Sequence, residues 1–162
     1  MSDWSSITYE HLADDYWYGS YGEFKVVLCK ENGFINASKL CYHGGKDLAD
    51  WFANKRSKEL VNAVAAKVSG GTYGFGYNDI IRHERNSNQT LVEKEVSGTY
   101  VHPLIIPHIA CWVSVEFALC VSDIVNDFIL SRCAHAMEEE LRKRHDAEMG
   151  HKRLWLKLKN LK

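Results

Sequence analysis

Lys55-Arg56-Ser57-Lys58 is the densest basic cluster in the first two-thirds of the chain, and cations packed this closely suit contact with phosphate oxygens. A short charge run is also how a helix keeps one face in water, so the plainer reading stands beside the sharper one. Lys46 follows the Gly44-Gly45 pair where a helix can begin; unpaired first-turn N–H groups and a lysine together suit an anion. Lys67 closes the same stretch. A second group, Arg82, His83, Arg85, Asn86, Asn88 and Gln89, contains the residue types that read base edges, arginine on guanine and asparagine or glutamine on adenine. Glu84 in its midst opposes close phosphate approach, and an ordinary solvated loop is equally polar.

Other chemistries find little support. Cys41 and His43 could be drawn as nucleophile and base, but residues two apart on a helix do not face each other, and no third group orients them. His102, His108 and Cys111 could be drawn as metal ligands, but they surround Pro103 and Pro107 without a carboxylate, and histidines at a core edge explain them better. No phosphate-binding glycine loop, dinucleotide fingerprint or paired CxxC spacing is present, so the sequence calls for no metal, no cofactor and no enzymatic activity. The five cysteines are read as free thiols in a reducing compartment. The opening residues lack the basic start and apolar run of a signal peptide, and the apolar stretch from Leu104 to Val125 is interrupted by Pro107, His108 and Glu116, so no membrane partner is expected. The net charge of −1 over 162 residues gives no global signature of nucleic-acid binding. Any such site must come from local segregation of charge.

These residues need elements to hold them. Residues 1–20 are acidic and aromatic and read as an arm packed on the core. FKVVLCKENGFINAS (24–38) reads as a hairpin turning at Asn32-Gly33, where positive φ is tolerated. Asn36 or Ser38 can cap a short helix through Tyr42 that ends at the glycine pair. Leu48, Trp51 and Phe52, then Leu60, Val61, Val64 and Ala65, recur at helical spacing as one helix, or as two with Ser57 capping the second. Ser69-Gly70-Gly71 ends it. Residues 72–101 show little helical period and read as strands with an exposed loop from Arg82 to Gln89. Ser114 is an expected N-cap for a core helix carrying Phe117, Val121, Ile124, Val125 and Phe128, and the aromatics Trp51, Phe52, Trp112 and Phe117 read as core.

From Ser131 the chain carries nine Lys and Arg against five Asp and Glu. Met137, Leu141, Met149, Leu154, Trp155, Leu158 and Leu161 do not keep a clean heptad, because Arg144 and His151 fall in the seam. A helix-mediated homodimer and a solvated helix both remain open.

Two segments, GFINASKLCYHGGKDLADWFANKRSKELVNAV (33–64) and SGTYVHPLIIPHIACWVSVEFALCVSDIVNDF (97–128), resemble the KilA-N family, with closest likeness to its poxviral branch. The family is in turn similar to fungal APSES DNA-binding domains. The resemblance implies an α+β winged helix-turn-helix over residues 21–130 with β-hairpins, followed by a charged C-terminal helix over 131–162. Asn36–Tyr42 would be the first helix, Lys46–Lys67 the recognition region, and Tyr73–Val101 the wing. It implies weakly specific binding of double-stranded DNA, with RNA as another partner, in the host cytoplasm where such viruses replicate, or in the host nucleus. The alternative is an interaction module that binds a host protein or dimerises in competition with a longer relative. Poxviral relatives often add a zinc-binding RING; only Cys133, His135, His145 and His151 follow residue 130, too few for one, and ligase activity is not expected.

Overall fold

A computed structural model describes residues 8–70, 77–85 and 90–160. The fold is α+β, as expected. Strands β1 (Thr8–Ala13), β2 (Tyr16–Tyr21), β3 (Phe24–Cys29) and β4 (Ile35–Asn36) are followed by helices α1 (Ala37–His43), α2 (Leu48–Ala53) and α3 (Lys55–Val68). Then come β5 (Ile81–Glu84), α4 (Leu91–Val96), β6 (Gly98–Val101), α5 (Ile106–Val113) and the long α6 (Val115–Lys159). The strands form one antiparallel sheet ordered β1-β2-β3-β4-β6-β5. The chain divides into two units, Met1–Leu119 and Cys120–Lys162.

Over its described part, residues 8–20, the expected arm is strand and belongs to this sheet as β1 and most of β2. β2 pairs with β3 along its whole length, from Tyr16 opposite Cys29 to Tyr21 opposite Phe24. Its aromatic side chains favour a pleated, half-buried surface, which outweighs the acidic residues around them. The expected turn at Asn32-Gly33 is present: Gly33 has φ +74°, and the Phe34 amide donates to Asn32 Oδ1 at 2.9 Å.

Alternation along β3 places Phe24, Val26 and Leu28 in the main core with Leu40, Trp51, Val61, Ile105 and Ile109. On the other face of the sheet, Val27 and Cys29 join Phe34 and Tyr100 in a second cluster. α1 begins as expected, with the Lys39 amide donating to Asn36 Oδ1 at 3.0 Å. The Asn36 amide nitrogen donates to the Ser97 carbonyl at 3.2 Å, and the residue is fully buried. Gly98 sits against it with φ +146°, where a Cβ would lie 2.6 Å from Asn36 Oδ1 and 2.8 Å from Nδ2. The strings Phe-Ile-Asn-Ala-Ser and Gly-Thr-Tyr-Val are thus two sides of one interior contact, reinforced by the Thr99 amide donating to Ser38 Oγ.

Three further expectations give way. The helical stretch after the glycine pair is two helices, but Asn54 caps the second, accepting from the Arg56 amide at 3.0 Å. Ser57 instead lies in the first turn, buried. Residues 72–101 contain α4, held by a capping box in which Thr90 and Glu93 bond reciprocally; six residues are too few to carry a visible period. Arg82 and His83 belong to edge strand β5 and not to a loop.

Ser114 caps α6 as expected, accepting from the Phe117 amide at 3.0 Å, and Phe117 packs on Tyr21 and Phe24. The apolar stripe beyond it is not core. Phe128 is 61% exposed, and Leu119, Ile124 and Ile129 are likewise open. α6 runs without a break from Val115 into the charged tail.

Gly98→Ala brings a methyl group into the Asn36 amide at a backbone angle that side chains resist, and should cost about 2–4 kcal/mol. Urea denaturation should record it as a lowered midpoint with an unchanged slope.

Candidate nucleic-acid interface

The first turn of α3 gathers three of the expected contacts. Lys55, Arg56 and Lys58 are all exposed, with the Lys55 side chain at 92%. Asn54 holds the turn from below, its carbonyl accepting from the Lys58 amide and its side chain from the Arg56 amide. Lys55 faces Glu59 at 3.8 Å one turn on, an exposed pair of little energetic weight. Lys67 lies on the last turn of the same helix, about 18 Å along the axis at 1.5 Å per residue. It is exposed but outside the cluster.

Lys46 is committed elsewhere. Its ammonium donates to the Trp112 carbonyl at 2.6 Å and lies 4.4 Å from the Trp112 ring centroid. It also precedes the cap of α2, which Asp47 supplies by accepting from the Ala49 amide. The carboxylate takes the place an anion would occupy there.

The second expected group is only partly described. Arg82 faces Glu31 at 3.6 Å, and His83 Nδ1 lies 3.0 Å from Thr99 Oγ1 across the β5–β6 pair. Arg85 is exposed at the end of β5. Asn86, Asn88 and Gln89, like Tyr73 at the start of the expected wing, lie outside the described residues. His83 opens on a groove of about 430 Å³ shared with Ser38, Asp47, Phe52, Tyr77 and Thr99, which brings β5 next to the start of α2.

One pocket joins elements far apart in sequence. About 230 Å³ in volume, it is bounded by Trp51, Asn54, Arg56 and Ser57 from the α2–α3 corner and by His108 and Trp112 from α5, with Leu60 beneath. None of these side chains is acidic. Reading the sequence assigned Trp112 to the core and His108 to its edge; Trp112 is half-buried and His108 exposed. Their four-residue spacing on one helix face was the available signal.

Burial pushes the Cys41 thiol up to about 11, so it is protonated at neutral pH, while His43 points away onto the Tyr42 ring. Burial lowers His102, which packs edge-on against Phe34. Among the described residues no three potential ligands gather as a metal site, and no helix is long and apolar enough to cross a membrane.

A sequence model of the KilA-N domain matches residues 19–130. The chain belongs to the KilA-N family. Its relatives include a putative KilA-N domain-containing protein, L4, of Acanthamoeba polyphaga mimivirus, 37% identical over 90% of this chain and 30% of the relative. Another is the putative KilA-N domain-containing protein 006L of Invertebrate iridescent virus 6, 33% identical over 80% of this chain and 36% of the relative. The uncharacterized protein FPV248 of Fowlpox virus is 30% identical over 83% of this chain and 84% of its own length. The chain thus spans about a third of the mimivirus and iridescent virus relatives and most of the fowlpox one. No solved structure matches. The KilA-N family is generally associated with DNA binding.

If Lys46 serves this KilA-N domain by fixing Trp112, Lys46→Ala should lower stability by about 1 kcal/mol. The salt dependence of duplex binding should be unchanged, as electrophoretic mobility shifts across a salt series would record.

Proposed function

We propose that this KilA-N domain binds double-stranded DNA with weak sequence preference, through phosphate contacts made by Lys55, Arg56 and Lys58. The observation that carries this reading is the exposure of all three on one first turn, where the helix dipole adds positive potential to their charge. In this reading α1, the glycine turn and α2–α3 act as the helix-turn-helix. The antiparallel β5–β6 pair acts as a wing, with Arg82, His83 and Arg85 touching an adjacent backbone or groove and Lys67 extending the contact along α3. Asn86, Asn88 and Gln89, which follow Arg85 in the sequence, carry the side chains suited to base edges. An overall charge of −1 is compatible with this, because the cations that matter are clustered. The setting is the host cytoplasm.

Duplex binding should weaken by about 0.9 in log affinity per phosphate contact for each tenfold rise in salt. Lys55→Glu/Arg56→Glu should reduce affinity by more than tenfold at low salt and flatten that slope by about two. An unaltered slope in the double variant, or no duplex binding by the natural chain at low salt, would sink the proposal. A single-stranded RNA of equal length tests the other nucleic acid.

A second reading, self-association through α6, draws on one observation: Ile124, Phe128, Leu154, Trp155 and Leu158 are all more than half exposed on a helix of 45 residues. A second copy is the partner whose charge order suits it. Glu138–Glu140 precede Arg142–Arg144, so an antiparallel neighbour can set acids against bases where a parallel one opposes like charges. Sedimentation equilibrium should give a dimer that Ile124→Glu/Phe128→Glu converts to monomer. A monomer at all concentrations from the natural chain would end this reading.

A further inference from the structure

We infer that the pocket between the α2–α3 corner and α5 is a phosphate site, holding a phosphate group on the first turn of α3 while Trp112 packs against whatever carries it. A helix start alone would not establish this. α3 is 14 residues long, and its Asn54 cap takes only the Arg56 amide with its side chain. The neighbouring Ser57 amide has no acceptor among the described residues.

The second observation is the Ser57 side chain. Ser57 is 6% exposed, and its hydroxyl makes no hydrogen bond among the described residues. A buried hydroxyl without a partner costs about 1–3 kcal/mol, which native folds avoid. No fully buried side-chain polar atom among the described residues lacks a partner, so this hydroxyl must reach open space, and the space that Ser57 lines is the pocket. Ser57, with its unbonded hydroxyl, thus lines one cavity together with Arg56 and His108, and no carboxylate is among the lining residues. The hydroxyl, the guanidinium and the imidazole can each donate a hydrogen bond, and the guanidinium brings a fixed positive charge, which suits a phosphate.

The volume of about 230 Å³ equals about eight waters at about 30 Å³ each, more than a bare phosphate fills. The aromatic walls, Trp51 and Trp112, suit the sugar or base attached to it. Lys46 acts here as a positioning residue, fixing Trp112 by its carbonyl and ring. That the phosphate belongs to duplex DNA rests on the function proposed above; the affinity of the pocket for the group itself does not.

The test titrates the natural chain with inorganic phosphate, with dAMP and with a short duplex, following backbone amide and indole resonances by two-dimensional NMR. Inorganic phosphate should produce saturable shifts at the Ser57 amide and the pocket indoles, and dAMP should add larger shifts at Trp112. Ser57→Ala/His108→Gln, both tolerable without repacking the core, should weaken phosphate binding about tenfold, with amide shifts elsewhere unchanged. If the duplex moves the same resonances and loses affinity in the double variant, the phosphate is that of DNA. If phosphate and dAMP bind but the duplex does not, the pocket stands as a site for a free phosphorylated ligand and the DNA reading fails. If phosphate moves nothing saturably while the duplex binds through Lys55 and Lys58 alone, the pocket proposal is overturned and the DNA reading survives.

Discussion

The side-chain amide of Asn36 has no access to water, and each of its polar atoms is spent on the backbone: the oxygen on the start of α1, the nitrogen on the carbonyl of Ser97. A buried amide is tolerated only when satisfied, so strand β4, helix α1 and the entry to β6 must arrive together or not at all. β4 is two residues long, yet it is the only bridge between the β1–β3 and β5–β6 halves of the described sheet. Gly98 removes the one Cβ that would keep the halves apart. Everything that approaches the candidate interface is hung on this joint. α1 leads through its glycine C-cap into α2, and β6 leads into α5.

From the joint outward, the interior is apolar and the cations are peripheral. Trp51 and Leu48 anchor α2 in the core, so the α2–α3 corner is fixed while the first turn of α3 faces water. Gly44 leaves no room for a side chain against Val113, which draws α5 up to the end of α1. Lys46 then ties the end of α5 back to the same turn. A rigid corner carrying mobile cations suits recognition of a regular charged backbone, since the positions of the helix ends are set by packing and only side chains adapt.

What the sequence made legible was local. The Asn32-Gly33 turn, the Asn36 and Ser114 caps and the end of α3 near Ser69 each depend on residues within a few positions of one another. The cluster at Lys55–Lys58 was legible for the same reason. β1 and β2 were hidden because their acidic and aromatic residues do not alternate cleanly, and only their pairing, β2 on β3 and β1 on β2, reveals them as strands. Asn54 was overlooked as a cap because Ser57 fits the same rule three residues later; burial decided between them. Of the pocket, the sequence offered only the four-residue spacing of His108 and Trp112, since the site brings residues 51–60 against 108–112. The stripe on α6 showed which side of the helix is apolar, which is a different matter from whether anything covers it.

The reciprocal fit of Asn36 and Gly98 bears on how this lineage can diverge. Neither position can drift freely: a side chain at 98 would strike the Asn36 amide, and a different residue at 36 gives up the bonds to the Lys39 amide and the Ser97 carbonyl, so the pair behaves as a single inherited character spread over two distant codons. Selection to preserve the frame would then leave its strongest imprint in the interior, while the cations on α3 and β5 stay free to be exchanged. Domains sharing the frame could come to grip quite different surfaces, and invariance among them would mark shared ancestry and not a shared target.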